Sequence, residues 1–338
     1  GRAEELGGHM LAVTIALAAL LAASAHAVTL GISGEGFTLD GEPAFLCGIS
    51  YYAGCGASPE AVAADLDDLS ARGVNWLRVW AAWDKYADVS ALDDEGRARE
   101  QYMIRLKELV QAADERGMVV DVTLHRGGHL KSHEAHLAAA RTLARELAPW
   151  RNVYFDLGNE RNIRDSRFVS FEECAELAAA VREVDPARLA TASHAGGDLS
   201  REDLEGYLTV AGVDFITPHR PRNAQSPGRT EEATRQLLRW MAELGRTVPV
   251  HYQEPFRRDY SDWQPSAEDY LTDLRGAIAG GAAGWCLHNG SSRQADDGRP
   301  RRSFDLTPDE GRLMEQLDEV ELAALNALSQ LLPGAGGQ

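Results

Sequence analysis

Short runs of apolar residues alternate with amphipathic segments along the chain from about residue 45 onward. Each run suits one β-strand, and each amphipathic segment is long enough for three or four helical turns. The predicted strands are Phe45–Ser50, Val74–Trp80, Met118–Arg126, Val153–Glu160, Leu189–His194, Val213–His219, Val248–Glu254 and Ala282–His288. The predicted helices lie near 58–72, 101–116, 132–148, 170–184, 199–211, 229–244, 266–280 and 307–332. This strict alternation indicates parallel strands joined by right-handed crossovers.

The ends of several predicted helices carry residues that favour a helix boundary. Ser58 can cap the first helix, and Pro59 suits its first helical position. Gly73, Gly117 and Gly245 follow the last apolar positions of their helices, where a left-handed residue is wanted. These boundaries support the assignment of the helical segments.

Two arrangements of an α/β chain remain after this pattern, an open doubly wound sheet and a closed (β/α)8 TIM barrel. The open sheet is typically marked by a Gly-rich phosphate loop after the first strand. Here that strand runs into SYYAGCG (50–56), which matches neither common phosphate-loop pattern. The count of eight strand–helix units therefore favours the barrel.

We predict one (β/α)8 domain over residues 28–338, because no Pro-rich or Ser-rich linker divides the chain. Within it, Asp40-Gly41 between apolar runs predicts a short N-terminal β-hairpin over 28–44. We place this hairpin across the amino-terminal mouth of the barrel. Residues 333–338 (PGAGGQ) are predicted to form a frayed tail.

The N-terminal 27 residues are predicted to lie outside the fold. Met10 serves as the natural start, and residues 1–9 form an artificial extension or a misplaced start. The apolar run Leu11–Val28 contains Ala25-His26-Ala27, a small-residue pattern at which signal peptides are cleaved. We therefore expect a signal peptide at about 10–27 and a secreted or periplasmic protein. The alternative is a hydrophobic N-terminal helix that stays attached.

Charge and cysteine content narrow the range of partners. The formal net charge is −18, with no Lys/Arg-rich run, so nucleic acid and anionic membranes are poor partners. The four cysteines, Cys47, Cys55, Cys174 and Cys286, lack the spacing of a metal site. Three disulfide pairings are open if all four are bridged, and buried free thiols are an equal alternative.

Polar residues collect at the predicted carboxyl ends of the strands, where a (β/α)8 barrel places its active site. They are Arg78, His125, Asn159, Glu160, His194, His219, Glu254 and His288. Glu160 and Glu254 follow apolar strand residues, where an unpaired charge is costly. Strands four and seven face one another across the barrel, which can bring the two carboxyl groups to about 5–5.5 Å, as in retaining glycosidases.

The chain resembles the clan A glycoside hydrolases, in particular the cellulase-like family 5 and its relatives. The matching segments follow the family's order: GVNWLRVW at 73–80, DVTLHR at 121–126, FDLGNE at 155–160, FITPH at 215–219, VHYQEP at 250–255 and GAAGWCLHNG at 281–290. The Asn-Glu pair at strand four, together with a Glu at strand seven, is the specific element. The resemblance implies a glycosidase of the retaining type that acts on a carbohydrate without a cofactor or metal.

The resemblance also implies a role for each matching residue. Glu160 would be the general acid/base, and Glu254 the nucleophile. Asn159 would hold the sugar 2-hydroxyl, and Arg78 would lie beneath Glu254 and keep it ionised. The other implied substrate-binding residues are His125, His219 and Trp285, the last as an aromatic floor under the sugar.

The chain departs from the family pattern after strand six. The family usually has an aromatic residue, often a tyrosine, two positions after the strand-six histidine, where it steadies the nucleophile. Here the run is His219-Arg220-Pro221-Arg222, so that role is empty or has moved. Tyr252 is an imperfect substitute, because two-residue alternation places it on the same strand face as Glu254 but deeper.

Tryptophans are candidates for stacking on a sugar face. Trp83 and Trp263 fall in predicted loops after strands two and seven, where they either stack on a sugar or cover a loop. The remaining tryptophans outside strand eight fit core or helix-packing positions, and they are Trp76, Trp80, Trp150 and Trp240.

Two alternative functions are compatible with a barrel of this kind. In a metal-dependent hydrolase, His125, His194, His219 and Glu254 could supply ligands. Three residues argue against this alternative by their absence: strand one does not end in His-x-His, no Lys stands at the end of strand four, and no Asp stands at the end of strand eight. A barrel that binds carbohydrate without cleaving it is the second alternative, although both carboxylates are present.

Arginines are concentrated in the predicted loops of the active face. They are Arg126, Arg161, Arg164, Arg220, Arg222, Arg257, Arg258, Arg299, Arg301 and Arg302. Guanidinium groups bind carboxylates bidentately, so the substrate is hypothesised to be an acidic, uronic-acid-containing glycan. The alternative is that these arginines form loop salt bridges with Asp165, Asp259, Asp262 and Asp297.

Overall fold

The computed structural model describes residues 27–258, 262–290, 304–307 and 311–333. The described strands are β1 (Leu30–Ser33), β2 (Gly36–Leu39), β3 (Glu42–Ala44), β4 (Leu46–Ser50), β5 (Trp76–Trp80), β6 (Val119–Thr123), β7 (Val153–Asp156), β8 (Ala190–Thr191), β9 (His251–Tyr252) and β10 (Gly284–Leu287). Almost all of the predicted signal peptide and tail, with Asp259, Asp297, Arg299, Arg301 and Arg302, lies outside the described residues.

Helices connect most of the barrel strands. They are α1 (Pro59–Ser70), α2 (Glu100–Asp114), α3 (His133–Glu146), α4 (Phe171–Val184), α5 (Arg201–Glu205), α6 (Ser226–Leu244), α7 (Ala267–Gly280), α8 (Leu313–Gln316) and α9 (Glu319–Ala327). The predicted helix at 199–211 is α5 continued by a π-helical turn, Gly206–Ala211. The predicted helix at 307–332 is divided into α8, α9 and the 3₁₀ turn Leu328–Gln330.

The parallel strands form a barrel that is closed by short bridges. Seven of them pair in the order β8-β7-β6-β5-β4-β10-β9. Predicted strands one to five are β4 to β8, and predicted strands seven and eight are β9 and β10. The segment predicted as strand six fills the remaining gap, because Ile216 bridges Val250 on one side and Pro218 bridges His194 on the other. The predicted (β/α)8 fold is confirmed, with strand six reduced to bridges.

Two-residue alternation decides which side chains enter the barrel. In β5, Trp76 lies in the interior apolar cluster, whereas Leu77 and Val79 pack in the larger cluster that includes residues of the surrounding helices. Arg78 lies two residues after Trp76, on the same face of β5 and closer to its carboxyl end, and it is fully buried among polar side chains. Gly48 of β4 lets Trp76 fit, because a Cβ there would lie 1.7 Å from the indole. The interior therefore changes from apolar at the bottom to polar towards the carboxyl ends.

A three-stranded antiparallel sheet, β1-β2-β3, closes the bottom of the barrel where a single hairpin was predicted. Its β2–β3 turn is the predicted Asp40-Gly41, with φ of 53° and 86°. Phe37 of β2 inserts into the interior and packs edge-to-face on Phe215 at 5.1 Å. This apolar contact fixes the sheet at the end opposite to the candidate site.

Several local predictions are confirmed. The Ser58 hydroxyl accepts a hydrogen bond from the Ala61 N–H, and Pro59 begins α1. Gly73, Gly117 and Gly245 all have positive φ. All four cysteines are buried free thiols, so the disulfide alternative is wrong. Within the described part of the chain, no helix combines the length and apolar character that a membrane span requires.

Candidate active site

A cleft of about 830 Å³ opens at the carboxyl ends of the barrel strands. Its floor and walls come from residues that end or follow strands, among them Tyr52, Trp80, His125, Asn159, Glu160, His219 and Glu254. Loops after the strands add Trp83, Arg167, Gly196, Gly197, Arg220, Arg222 and Arg257. The position agrees with the rule for (β/α)8 enzymes.

Glu160 and Glu254 face each other in this cleft. Carboxylate oxygens of the two residues lie within 4.8 Å of one another. Glu160 follows β7 in a left-handed conformation, with φ of 49°, and its N–H donates to the Ser193 hydroxyl. A non-glycine residue at positive φ is uncommon, and such strain is concentrated at functional sites. The fold thus brings together two carboxylates that are 94 positions apart in sequence.

Arg78 lies beneath the pair and is completely buried. Its Nη1 donates to Oε1 of Glu254. Its Nη2 donates to Asn159 Oδ1 at 2.8 Å and to Asp156 Oδ2 at 3.1 Å. Asp121 Oδ2 lies 3.3 Å from Nε. The predicted position of Arg78 beneath Glu254 is confirmed, and the same guanidinium orients the Asn159 amide.

Two further donors hold Glu254, one on each oxygen. The Tyr52 hydroxyl donates to Oε1 at 2.7 Å. Nη2 of Arg222 donates to Oε2 at 2.9 Å. Glu254 is thus held by a phenol after strand one and by a guanidinium after strand six.

His219 links the two carboxylates. Its Nδ1 lies 3.1 Å from Oε1 of Glu160 and 3.5 Å from Oε2 of Glu254. Arg222 Nη2 makes a similar link, because it also lies 3.4 Å from Oε1 of Glu160. One imidazole and one guanidinium thus bridge the pair.

The surroundings set the ionisation of both carboxylates. Burial raises the pKa of Glu254, but the charges of His288, His219, Arg78 and Arg222 outweigh it and hold this pKa well below its ordinary value. Burial also raises the pKa of Glu160, but the hydrogen bond and charge of His219, helped by Arg222, lower it overall. Both groups are therefore ionised in the free protein at neutral pH.

One wall of the cleft is aromatic. The rings of Tyr52, Trp80 and Trp83 lie within 5.1–5.4 Å of each other. The His125 ring lies 5.2 Å from Trp80, and burial, followed by the charge of Arg167, lowers the pKa of His125 to about 4. His125 thus presents a neutral ring to the cleft at neutral pH. Trp80, which was assigned to core or helix packing, is instead part of the cleft wall.

Two predicted substrate-binding residues point away from the cleft. Trp285 is fully buried outside the barrel, where its Nε1 donates to Asp273 of α7 at 2.6 Å. Tyr252 is also fully buried, with its hydroxyl 2.6 Å from the Thr234 hydroxyl of α6. Both predictions are wrong. Trp285 points outward because its neighbour in the strand, Cys286, faces the barrel interior. Tyr252 is the last residue of β9, so strand alternation does not extend from it to Glu254.

Three residues in contact with the site were given no role around the two carboxylates: Tyr52 was not selected, and His288 and Arg257 were named only as a strand-end histidine and a loop arginine. Tyr52 follows strand one, and applying the strand-end rule to tyrosine as well as to charged residues would have found it. His288 ends strand eight, and its Nε2 lies 3.2 Å from the Tyr52 hydroxyl and 3.7 Å from Oε2 of Glu254. Arg257 donates to the same Nε2, and only tertiary structure shows this contact.

The geometry bears on the metal alternative. Glu160, His219 and Glu254 could together offer ligand atoms to a metal ion. Arg78 and Arg222 already bring positive charge to both oxygens of Glu254, which disfavours a further cation there. His194 instead lies 3.2 Å from the Tyr207 hydroxyl and 3.3 Å from the Asn162 amide. It is a rim histidine with protein partners.

Most of the described loop arginines have structural partners. Arg126 binds Glu173, Arg258 binds Asp318 and Arg220 binds Asp198, with Nε–Oδ1 of 2.8 Å in the last pair. Arg161 lies over the Phe171 ring at 3.8 Å, and Arg164 over Phe168 at 4.2 Å. Among the predicted partners, Asp165 pairs with Arg167. Arg222 differs from all of these, since it binds the central carboxylates.

Comparison with known families agrees with this site. Residues 36–202 match the family model Cellulase (glycosyl hydrolase family 5). This segment, just under half of the chain, is similar to family 5 of the glycosyl hydrolases, whose members belong to clan A. The matched family and the shared fold support a glycosidase with a carbohydrate substrate. None of the curated protein sequences matches this glycosidase.

Solved structures share the fold at low sequence identity. A glycoside hydrolase family 5 structure from Bacteroides vulgatus ATCC 8482 is 14% identical, covering 91% of this chain and 71% of its own, with a TM-score of 0.68. The endo-1,4-beta-mannanase from Rhizomucor miehei is 14% identical, covering 76% and 89%, with a TM-score of 0.57. A family 5 mannosidase from the same organism is 17% identical, covering 91% and 99%, with a TM-score of 0.55.

Proposed function

We propose that this glycosidase cleaves O-glycosidic bonds of a poly- or oligosaccharide with net retention, by double displacement. Glu254 is the nucleophile, and Glu160 is the general acid/base. The observation that carries the proposal is the separation of their carboxylate oxygens, within 4.8 Å. Retaining enzymes hold the two carboxyl groups about 5–5.5 Å apart, whereas inverting enzymes need about 6.5–9.5 Å for a water molecule.

In the first step, an oxygen of Glu254 attacks the anomeric carbon. The bond from that carbon to the glycosidic oxygen breaks as Glu160 transfers its proton to the leaving oxygen. The product is a glycosyl ester on Glu254 and a free leaving sugar. Arg78 and Tyr52 support this assignment, because their donors on Oε1 stabilise the carboxylate form of Glu254.

In the second step, water attacks the anomeric carbon of the ester. Glu160, now a carboxylate, takes the proton of that water, and the bond to Glu254 breaks. The two inversions give net retention, and Glu160 is protonated again for the next cycle. Neither step requires a cofactor or a metal ion.

Asn159 and the two cleft histidines complete the proposed centre. Arg78 fixes the Asn159 carbonyl oxygen, which leaves the amide NH₂ to donate to the sugar 2-hydroxyl. His219 keeps Glu160 and Glu254 in register through Nδ1. His125 lines the aromatic wall, where it can bind a sugar hydroxyl. These are binding and positioning roles.

We also propose that the glycan is acidic and carries uronic acids. The support is the set of cations that line the same cleft as the aromatic wall, Lys85, Arg167, Arg222 and Arg257. A pyranose ring can stack on Trp80 and Trp83 while a carboxylate meets a guanidinium. Export through the segment at about 10–27 fits a polysaccharide substrate and is part of the same proposal.

The test is reducing-sugar release from a panel of neutral and uronic-acid glycans. The panel includes β-1,4-mannan, because two of the similar structures are a mannanase and a mannosidase. Release by the wild type that is lost in Glu254→Ala supports the proposal, and proton NMR of the first anomer formed tests retention. A chelator should leave the rate unchanged. Release that survives in Glu254→Ala would show that the nucleophile is wrong.

A further inference from the structure

Arg222 occupies the place where the reaction would occur. Its Nη2 lies 2.9 Å from Oε2 of Glu254 and 3.4 Å from Oε1 of Glu160. Those two carboxylates are themselves within 4.8 Å of each other. Glu254 attacks the anomeric carbon while Glu160 protonates the leaving oxygen on the same carbon. The anomeric carbon must therefore lie close to both carboxylates. A guanidinium this close to both carboxylates competes with a substrate for that space.

The two oxygens of Glu254 differ in how they are held. Oε1 is bound by Arg78 and by the Tyr52 hydroxyl, both buried. Oε2 is bound by Arg222 at 2.9 Å, and His219 Nδ1 lies farther away, at 3.5 Å. An attacking oxygen needs a lone pair directed at the anomeric carbon, and Oε2 is the oxygen that Arg222 can release. Catalysis on Glu254 therefore requires Arg222 to move.

The surroundings of Arg222 allow that movement. It lies in the loop between the strand-six segment and α6, outside any helix or strand. Its side chain keeps 14% of its surface exposed, whereas that of Arg78 is fully buried in β5. A loop arginine can change rotamers without moving a secondary-structure element. Arg78 cannot, since it is fully buried within β5.

Moving Arg222 has an electrostatic cost that depends on the substrate. The guanidinium leaves two carboxylates, and a neutral sugar offers it only hydroxyl groups in return. A sugar carboxylate offers a bidentate, charge-assisted pair instead. An anionic sugar therefore offsets the cost of opening the reaction centre, and a neutral sugar does not.

We propose that Arg222 is a specificity-determining residue that fills the reaction centre of the free enzyme and is drawn off by the carboxylate of a uronic acid. The inference rests on the proposed function, since it takes Glu160 and Glu254 as the reacting pair. When a neutral glycan binds, Arg222 stays between the carboxylates and hinders the reaction. This role differs from general electrostatic attraction of an anionic substrate, to which every arginine of the cleft would contribute equally.

The experiment compares matched nitrophenyl glycosides, each a uronide and its neutral parent, in the gluco and galacto series and in both anomers. Wild type, Arg222→Met and Arg222→Lys are assayed for kcat and KM. Arg167→Gln is the matched control, because Arg167 lines the same cleft but pairs with Asp165. Circular dichroism melts verify that each variant is folded.

We expect the wild type to favour the uronide. In Arg222→Met the ratio of kcat/KM for uronide over neutral glycoside should fall by about tenfold or more, the effect of one charged hydrogen bond. Part of that fall should come from a lower KM for the neutral glycoside, since the centre is no longer blocked. Arg222→Lys should give an intermediate ratio, and Arg167→Gln a clearly smaller fall than Arg222→Met. An unchanged ratio in Arg222→Met, with hydrolysis retained, would overturn the inference and leave the proposed function intact.

A binding measurement separates the inference from a failure of the proposed function. Wild type and Arg222→Met are titrated with glucuronate, galacturonate, glucose and galactose, with the fluorescence of Trp80 and Trp83 as reporter. Tighter binding of a uronate than of its parent sugar by the wild type, lost by about tenfold in Arg222→Met, supports the inference even if no glycoside is cleaved. Equal affinities in the two proteins, or binding by neither, would overturn it.

Discussion

The hydroxyl of Tyr52 donates a 2.7 Å hydrogen bond to Oε1 of Glu254, across 202 positions of sequence. Tyr52 follows β4, and Glu254 follows β9, so the contact spans the single strand β10 that lies between them in the sheet. Burial, together with the charge of Glu254, raises the pKa of the Tyr52 phenol, which keeps it protonated as a donor. A residue that the sequence pattern did not select is thus a direct partner of the proposed nucleophile.

Tyr52→Phe should lower kcat/KM by about 10–100-fold, the effect of one hydrogen bond to a charged group. The acid limb of the pH profile should also move to higher pH, because Glu254 loses a donor that stabilises its ionised form. Tyr51→Phe is the matched control, since the Tyr51 hydroxyl donates to Asp65 of α1 and lies outside the site. It should lower thermal stability and leave kcat unchanged. Equal kinetic losses in the two variants would contradict the assignment.

Activity should be highest on the acid side of neutrality. Glu254 must be ionised, and its pKa lies well below the ordinary value, so the acid limb appears only at low pH. Glu160 must be protonated, and its lowered pKa means that this form is lost as pH rises from the acid range. Arg222→Met removes a cation beside Glu160, so its pKa should rise and the alkaline limb should move to higher pH. The measurement is kcat/KM against pH for the wild type and for Arg222→Met. The prediction requires the alkaline limb of the variant to lie at higher pH.

Trp285→Phe should affect folding and leave substrate binding unchanged. The variant removes the hydrogen bond from Nε1 to buried Asp273, and we expect about 1–3 kcal/mol lower free energy of unfolding. KM should stay at the wild-type value, because Trp285 is outside the barrel. Trp80→Phe provides the contrast, since Trp80 lines the cleft, and there KM should rise. A raised KM in folded Trp285→Phe would restore the sugar-floor interpretation.

Two glycine substitutions should change stability in opposite directions. Gly48→Ala places a Cβ 1.7 Å from Trp76 in the barrel interior, and such overpacking costs about 1–3 kcal/mol or more. Gly228→Ala adds a Cβ with nothing within 4 Å, inside α6, and should stabilise by about 0.5–1 kcal/mol. Urea unfolding of both variants measures the difference. A stabilised Gly48→Ala would show that Trp76 has room to move.

The periodic pattern of the chain was sufficient for the fold. Strand and helix segments could be predicted because apolar alternation and helix-boundary residues such as Ser58 and Gly73 act over a few neighbouring positions. The carboxyl-end rule then placed Glu160 and Glu254 at one rim. Their positions follow from topology, which does not depend on side-chain packing.

The directions of individual side chains required the tertiary structure. Trp285 was placed in the cleft because it lies in the right strand, but the inward face of β10 belongs to Cys286 and His288. Tyr252 was linked to Glu254 by alternation, but β9 ends before that alternation reaches Glu254. Strand ends deviate from regular geometry, so a one-residue error there moves a side chain to the opposite face.

The sequence by itself determined a (β/α)8 glycosidase with two carboxylates at the ends of strands four and seven. Only the tertiary structure decided which groups surround them: Tyr52 and Arg78 on one oxygen of Glu254, and Arg222 on the other. Local periodicity encodes which strand a residue occupies and where that strand ends. Contacts between loops 32 to 202 positions apart depend on how the closed barrel brings those loops together, and no short-range pattern encodes that distance.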